Sequence, residues 1–524
     1  MKRILQTICN ARLSVCFLSI FILAIVTRFY LLGEIPADIH QDEAHVGYDA
    51  FSLLISGADS WGNINPVYLM GWGSGTSILY ALLAKFAFFI FDVDVWALRL
   101  PQALFSVISC YVFYRLLRLF YKKPTALLGF FLITIVPWHI MTARWALDAN
   151  VAPAFWLLGF YFYCKGVKRG EYLYLSALFY ALCMYAYASI WFFVAVTLPM
   201  QWGYLLWLKR SKAYFYKLLY SGLVFVVLVV PLMLLILVNQ GIIGEIKTAY
   251  FTVPKLLFWR GQEIGLEGWQ HKIGLLSNIL IKQNEGWVAN MVPGYGLFYM
   301  ISPLFMLLGG MVAGYQAYCD FKYKRFSFAT CVLWQVATGL IYGLMIFAFS
   351  NRINFLFIPL LVLVTLGISI FFRCKPLFLL IVAGYLYWFC NFSVYYLTRF
   401  NGVLAGNYLY SFSYGIKDAI KEAEDLHLKT GAEIHVLEEP YTYAKVLFYS
   451  KVNPKSYQKS VTWYDYPNAF VQAVKFLYYH FDWVPVWNNL SSHHIYVAHK
   501  HHLPRWQGRE VKSFGNYIVV APQR

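Results

Sequence analysis

Residues 217–238 read KLLYSGLVFVVLVVPLMLLILV, and after the opening lysine no residue in the stretch carries a charge. At a rise of about 1.5 Å per residue, a helix of this length reaches roughly 33 Å, enough to cross a hydrocarbon core of about 30 Å. It has no polar face to turn toward water, so lipid rather than solvent is its natural surrounding.

Similar runs recur along the chain. They predict spans near 13–32, 100–119, 124–138, 151–166, 171–187, 188–207, 217–238, 295–317, 327–349, 354–371 and 377–397, eleven in all. The composition agrees: 60% of residues are hydrophobic and 13% charged, against about 25% charged in ordinary globular domains. Met1-Lys2-Arg3 leads into the first run with no small-residue cleavage site, so that run is read as a retained span. The fold class expected is a polytopic α-helical membrane protein.

The net charge of +18 does not point to nucleic acid. The basic residues lie in short clusters between apolar runs: Lys2/Arg3/Arg12, Arg115/Arg118/Lys122/Lys123, Lys165/Lys168/Arg169, Lys209/Arg210/Lys212, Lys322/Lys324/Arg325 and Arg373/Lys375. If all are cytoplasmic, an even number of spans separates each neighbouring pair. The segment 76–91, short and carrying Lys85, is then an interfacial helix rather than a span. This puts the N-terminus in the cytoplasm and the C-terminus outside. The outer regions become 33–99, 139–150, 239–294 and everything after 398. Residues 1–397 form the transmembrane unit. Residues 398–524 read as a small extracytoplasmic α/β domain, with a helix over 415–428 and strands at 433–437, 496–498 and 517–520. The nine cysteines all lie in or beside spans, so the outer parts are expected to lack disulfides.

Chemistry concentrates in the first outer loop. Between Gly33 and Gly75 it holds Glu34, Asp38, Asp42, Glu43, Asp49 and Asp59 and no Lys or Arg. Asp42, His45 and Asp49 follow i, i+3, i+7 spacing, which places them on one face of a helix starting near Asp42. Val46, Ala50, Leu53 and Leu54 form another face, suited to lying on the membrane. Asp38 and Asp59 read as solvating acids. The adjacent Asp42 and Glu43 read as functional, because clustered carboxylates perturb one another's protonation. His45, Asp49 and Trp72 are candidate substrate contacts.

The second outer loop adds Asp148 on the same membrane face, either as a catalytic carboxylate or as a cap for the following helix. Arg28, Arg99, Arg144 and Arg352 lie near that face. Arg352, in a very short outer turn, is a candidate phosphate ligand, as are Arg144 and Arg28, although Arg28 could instead pair with a first-loop carboxylate. His493, His494, His499, His501 and His502 match no familiar zinc spacing and read as a solvated loop. No cofactor is certain; a divalent cation is possible.

At Arg28, Gln41-Asp42-Glu43-Ala44, Arg99-Leu100-Pro101 and Arg144 to Asn150, the chain resembles the GT-C glycosyltransferase superfamily, in the branch of protein O-mannosyltransferases and aminoarabinose transferases. The resemblance covers roughly residues 12–200 well and the later spans loosely. It implies an inverting transfer of a sugar from a polyprenyl-phosphate carrier to an extracytoplasmic glycan, lipid or protein acceptor. It also implies that Asp42 is the first-loop catalytic carboxylate, Glu43 its neighbour and Asp148 the second-loop carboxylate. Where aminoarabinose transferases carry a Lys-Pro-Pro-like turn, this chain has Gly71-Trp72-Gly73-Ser74-Gly75. The loop 239–294 is too short for the domain that eukaryotic protein mannosyltransferases insert there. The likeness is therefore to bacterial members that decorate cell-surface polymers. The rival class, a transporter or flippase for lipid-linked saccharides, ordinarily has ionisable groups near the midplane, and the expected spans here are nearly free of charge.

Overall fold

The computed structural model of the chain describes residues 2–260, 264–265, 267–400, 412–437, 441–464, 470–482 and 490–523, with side chains from residue 12 onward. In chain order its helices begin with α1 (Lys2–Phe29), α2 (Gln41–Ser56), α3 (Leu79–Ile90), α4 (Val95–Phe120), α5 (Lys123–Ile135), α6 (Pro137–Thr142), α7 (Asp148–Gly166) and α8 (Tyr172–Ala186). They continue with α9 (Ile190–Lys209), α10 (Lys212–Asn239), α11 (Trp269–Leu280), α12 (Ser302–Lys322), α13 (Phe328–Met345), α14 (Ser350–Ile353), α15 (Phe357–Ser369) and α16 (Lys375–Thr398). A helix stands at each of the eleven expected span positions. Among the described residues, seven helices are long and apolar enough to cross a membrane.

Their surfaces explain why lipid must surround them. On α10, Leu219, Leu223, Val226, Val227, Val230 and Met233 all face outward, a contiguous apolar surface that water would not tolerate. The protein is a multi-pass membrane protein. Segment 76–91 contains α3, whose 12 residues reach only about 18 Å. Its Leu82, Phe86, Phe89 and Ile90 form an exposed apolar stripe.

Helix packing includes one close backbone approach. A side chain on Gly309 of α12 would meet the Leu363 carbonyl oxygen of α15 at 1.8 Å, and one on Gly367 would meet the Phe305 carbonyl at 2.1 Å. The two backbones touch because neither glycine has a Cβ, which is how small residues let membrane helices associate.

After α16 the chain forms α17 (Ile416–Thr430), α18 (Thr442–Tyr449) and α19 (Pro454–Ser460). Earlier, loop 239–294 contributes a hairpin of β1 (Ile246–Lys247) and β2 (Thr252–Val253). The tail strands are β3 (Ile434–Leu437), β4 (Thr462–Trp463), β5 (Ala473–Phe476), β6 (Tyr479–Asp482), β7 (Ile495–His499), β8 (Val511–Phe514) and β9 (Tyr517–Val520). They make one sheet in the order β4-β5-β6-β3-β7-β9-β8, with β3 parallel to both β6 and β7. The predicted helix and three strands are present within this α/β tail. The eight cysteines with described side chains are free, and Cys9 lies outside those residues.

The tail is seated on the loop that follows α1. The Tyr48 hydroxyl donates to the Val452 carbonyl (3.0 Å), Gln458 Nε2 donates to the Asp59 carbonyl (3.2 Å), and Trp61 stacks on Trp463 with centroids 4.4 Å apart. A Cβ on Gly47 would come within 2.8 Å of the Phe448 ring, so α18 lies directly on α2. Val46, Ala50 and Leu53 are accordingly buried in protein rather than laid on the membrane as their pattern suggested. Amphipathicity identifies the apolar face but not what covers it.

Candidate active site

The site is assembled on α2. His40 caps this helix: its Nδ1 accepts from the Asp42 backbone N–H, while the Glu43 side chain accepts from the His40 N–H, a reciprocal capping box. This fixes Asp42 and Glu43 in the first turn, where the helix dipole favours carboxylates, and their side chains then diverge.

Glu43 points inward and is fully engaged. Arg99 binds it with a two-pronged pair, Nε to Oε1 and Nη2 to Oε2, both at 2.9 Å. The same carboxylate accepts the Ala146 N–H at 2.7 Å, tying the second loop to the first. Neither Glu43 nor Arg99 has measurable exposure. Placed beside Asp42 by the sequence, Glu43 therefore sits behind it as a structural anchor.

Asp42 points the other way and is one-third exposed. Its Oδ1 accepts from Trp72 Nε1 at 3.3 Å, and its Oδ2 lies 3.5 Å from His40 Nδ1. Trp72 is held between His45, 4.5 Å away between ring centroids, and Tyr441 and Tyr443 of the tail, at 4.9 and 5.6 Å. His45 Nδ1 lies 3.2 Å from the buried Asp49 carboxylate. Burial is the largest single influence and opposes protonation of this imidazole, but the Asp49 charge and hydrogen bond, with the Asp42 and Asp59 charges, together outweigh it and hold its pKa above the ordinary value. Trp72 and His45 are thus brought to Asp42 as expected, while Asp49 works one layer back, its Oδ1 accepting the Ser60 N–H at 2.8 Å.

Asp148 opens α7 ahead of the expected span, and it is buried. Its Oδ1 accepts the Ala149 N–H at 2.7 Å and its Oδ2 the Ser77 N–H at 3.4 Å. Leu147 occupies the cap position of α7, and Asp148, the first residue of the helix, ties down its start through the Ala149 N–H. Burial above all, with the Asp42 charge added, pushes its carboxyl up to about 7. Asp42 and Asp148 therefore share one electrostatic field.

The arginines separate into two groups. Arg28 and Arg144, expected as phosphate ligands, are buried and occupied. Arg28 donates to the Thr134 and Ile133 carbonyls at 2.5 and 3.0 Å, and meets His139 Nδ1 at 2.8 Å. Arg144 donates to the carbonyls of Ile35, Arg28, Tyr30 and Leu31, binding the turn that follows α1. Neither pairs with a first-loop carboxylate. An isolated charge in such a place is costly, and the carbonyl-rich turns meet that cost with hydrogen bonds.

Arg352 is different. It is half-buried on α14 with its guanidinium over Phe349 (5.6 Å to the ring centroid) and within electrostatic reach of Tyr187. A second arginine, Arg260, reaches Tyr187 too, and also Tyr68 and Asp148. Sequence patterns did not single out Arg260, although it is the only arginine in loop 239–294. That loop also sends Glu285 to the Arg352 turn, where its Oε2 accepts the Ser350 N–H at 2.7 Å. Asn354 Nδ2 donates to the Ala149 carbonyl at 2.8 Å, joining the same turn to Asp148. Asp38 and Asp59 serve structure: Asp38 accepts from the Gly415 N–H and, at 3.4 Å, from the Tyr449 hydroxyl, and Asp59 accepts the N–H groups of Trp61 and Asn63 at 3.0 and 2.8 Å. Asp42 and Arg260 thus act electrostatically on Asp148, and Arg260 and Arg352 on Tyr187, so groups from four separate segments share one electrostatic neighbourhood.

A family model described as dolichyl-phosphate-mannose-protein mannosyltransferase matches residues 76–235. The fold is that of ArnT from Cupriavidus metallidurans: the structure bound to undecaprenyl phosphate superposes with a TM-score of 0.59 at 12% identity, covering 97% of this chain and 98% of that one. The apo form of the same protein gives 0.58 with equal identity and coverage. An oligosaccharyltransferase from Archaeoglobus fulgidus is more distant, with a TM-score of 0.43 at 12% identity over 83% of this chain and 63% of that one. No curated protein sequence matches the chain. The likeness to the GT-C glycosyltransferase superfamily carried by the sequence motifs is borne out by the family model and by the fold.

Proposed function

We propose that this protein is a glycosyltransferase that moves a sugar, with inversion, from a polyprenyl-phosphate-linked donor to an extracytoplasmic acceptor, a cell-surface glycan, a lipid or a protein. The observation that carries the proposal is the state of Asp42. Of the three carboxylates on α2, Glu43 and Asp49 are buried and held by other groups, while Asp42 reaches solvent and shares its field with Asp148. The family match and the ArnT fold, in a protein crystallised with undecaprenyl phosphate, favour the same chemistry.

In this reaction Asp42 takes the proton of the acceptor hydroxyl as that oxygen attacks the anomeric carbon. The bond from that carbon to the carrier's phosphate oxygen breaks, and the polyprenyl phosphate leaves with the bonding pair. Arg260 and Arg352 supply positive charge to the departing phosphate. Trp72 and His40 hold Asp42 in place, and Glu43 is a positioning residue acting through the cap of α2. Asp148 orients the acceptor and sets the local charge. No divalent cation is needed for this balance, although two adjacent carboxylates could hold one. Residues 1–397 form the transmembrane catalytic unit, with the N-terminus cytoplasmic, and residues 398–524 an extracytoplasmic domain that shapes the site. A transporter for lipid-linked saccharides is less well served: Arg28, Arg99 and Arg144 inside the bundle are fixed to carbonyls and to Glu43.

Asp42→Asn is nearly isosteric and tests the assignment. In purified protein it should leave folding and donor binding intact while turnover falls about 10²–10⁴-fold, the usual range for loss of a general base. Turnover near that of the wild type would remove Asp42 from the mechanism.

A further inference from the structure

The parallel sheet of the tail gathers histidines that are far apart in sequence. His435 on β3 and His480 on β6 are register partners in the parallel pair. Glu433 stands two residues before His435, hence on the same face of the sheet. One ligand atom from each of Glu433, His435 and His480 lies within 4.8 Å of the other two. The His435 ring is stacked between His480 and His494, each at 4.5 Å between centroids and within 9° of parallel.

The hydrogen-bond pattern gives this cluster its meaning. His435 Nδ1 lies 2.7 Å from the Asp482 carboxylate, so that nitrogen carries the proton and Nε2 keeps a free lone pair. A carboxylate on the far nitrogen of a histidine is the arrangement that orients metal-binding imidazoles. Among the described residues, Nε2 of both His435 and His480 is buried without a hydrogen-bond partner. His480 Nε2 stands 3.0 Å from Glu433 Oε2, the ion-pair partner it has in the metal-free chain. A tetrahedral ion with bonds of about 2.0–2.2 Å would set its ligand atoms roughly 3.4 Å apart. The other Glu433 oxygen is 3.4 Å from Lys475 Nζ, which leaves Oε2 for the ion.

We infer that Glu433, His435 and His480 form a binding site for a zinc-class divalent transition-metal ion on the tail domain, with Asp482 orienting His435. Two imidazoles and one carboxylate suit such an ion, whereas calcium and magnesium take oxygen ligands. Three protein ligands leave the fourth corner to water. The site is distinct in residues from the Asp42–Asp148 cleft, and the ion would fasten β3 to β6 at the middle of the sheet. From the histidine-rich stretch 493–502, His494 stacks on His435.

The full-length protein in detergent, with any histidine tag removed, is dialysed against Zn²⁺ alone, and bound metal is measured together with the visible spectrum after Co²⁺ replacement. The wild type should retain one equivalent with a tetrahedral cobalt spectrum. His435→Ala and His480→Gln should lose it, while Asp42→Asn and the double variant His499→Ala/His501→Ala should keep it. Asp482→Asn, which leaves all three ligands in place, should weaken binding about 10–100-fold. No bound equivalent in the wild type would overturn the inference. Retention in both His435→Ala and His480→Gln, loss in Asp42→Asn or the 499/501 variant, or unchanged affinity in Asp482→Asn would do so as well.

Discussion

Asp148 shows what one residue's surroundings do to its charge. Its carboxyl titrates near 7 because the fold buries it, with Asp42 adding a like charge. A carboxyl whose pKa is raised on folding is held by the fold in its neutral form, so its contribution to stability is fullest below the ordinary carboxylate pKa. That contribution is lost as pH rises through about 7. Asp148→Asn, which cannot ionise, should therefore melt at a higher temperature than the wild type at pH 8.5 and at the same temperature at pH 4. A thermal-shift series across that range reads the difference, and equal melting at both values would show that Asp148 is not held neutral. Asp42 was legible in the sequence as a candidate, since a loop rich in acids and empty of bases is unusual. The partners of the arginines were not. Arg28 and Arg144 bind main-chain carbonyls, and any residue supplies a carbonyl, so no residue type announces the contact. Arg260 lay hidden for a related reason: its loop has no periodicity to say which way the side chain turns.

Among the elements, the contact of α12 with α15 makes the sharpest demand. Gly309→Val would drive a side chain into the Leu363 carbonyl, for which the flanking helix has no room to yield. Insertion into the membrane should be normal, because hydropathy is unchanged or improved. The detergent-solubilised protein should nonetheless unfold or aggregate at markedly lower temperature in size-exclusion and thermal assays, and Gly310→Val, whose added Cβ meets nothing within 4 Å, should not. Long apolar helices were easily read because 20 uncharged residues are a strong signal. The tail was read in part. Tyr517–Val520 is a dense apolar run, whereas Ala473–Phe476 and Tyr479–Asp482 are four residues each with mixed character. Their strand state comes from pairing with neighbours across the sheet, which local pattern does not encode.

At the scale of the whole molecule, the proposed topology places the carboxylate loops and the tail on one side. In a cysteine-free background, single cysteines at Ile64, Tyr250 and Leu428, all on the protein surface, should react with a membrane-impermeant reagent added outside intact cells. Cysteines at Lys122, Arg210 and Tyr323 should react only after lysis. Outside labelling at Lys122 would overturn the proposed topology.

The seating of the tail on the first loop also sets an order in time. Tyr48 and the Val452 carbonyl it binds are 404 residues apart, and Trp72 finds its tail partners Tyr441 and Tyr443 only after a comparable stretch of chain. At roughly 5–20 residues per second, about 20–80 s of synthesis separate the two halves of this contact. Throughout that interval the nascent chain already carries Asp42 but lacks the aromatic wall that holds Trp72 against it. The wall around Trp72 is therefore completed only once the tail has been made, and a chain whose synthesis stalls before Tyr441 lacks it.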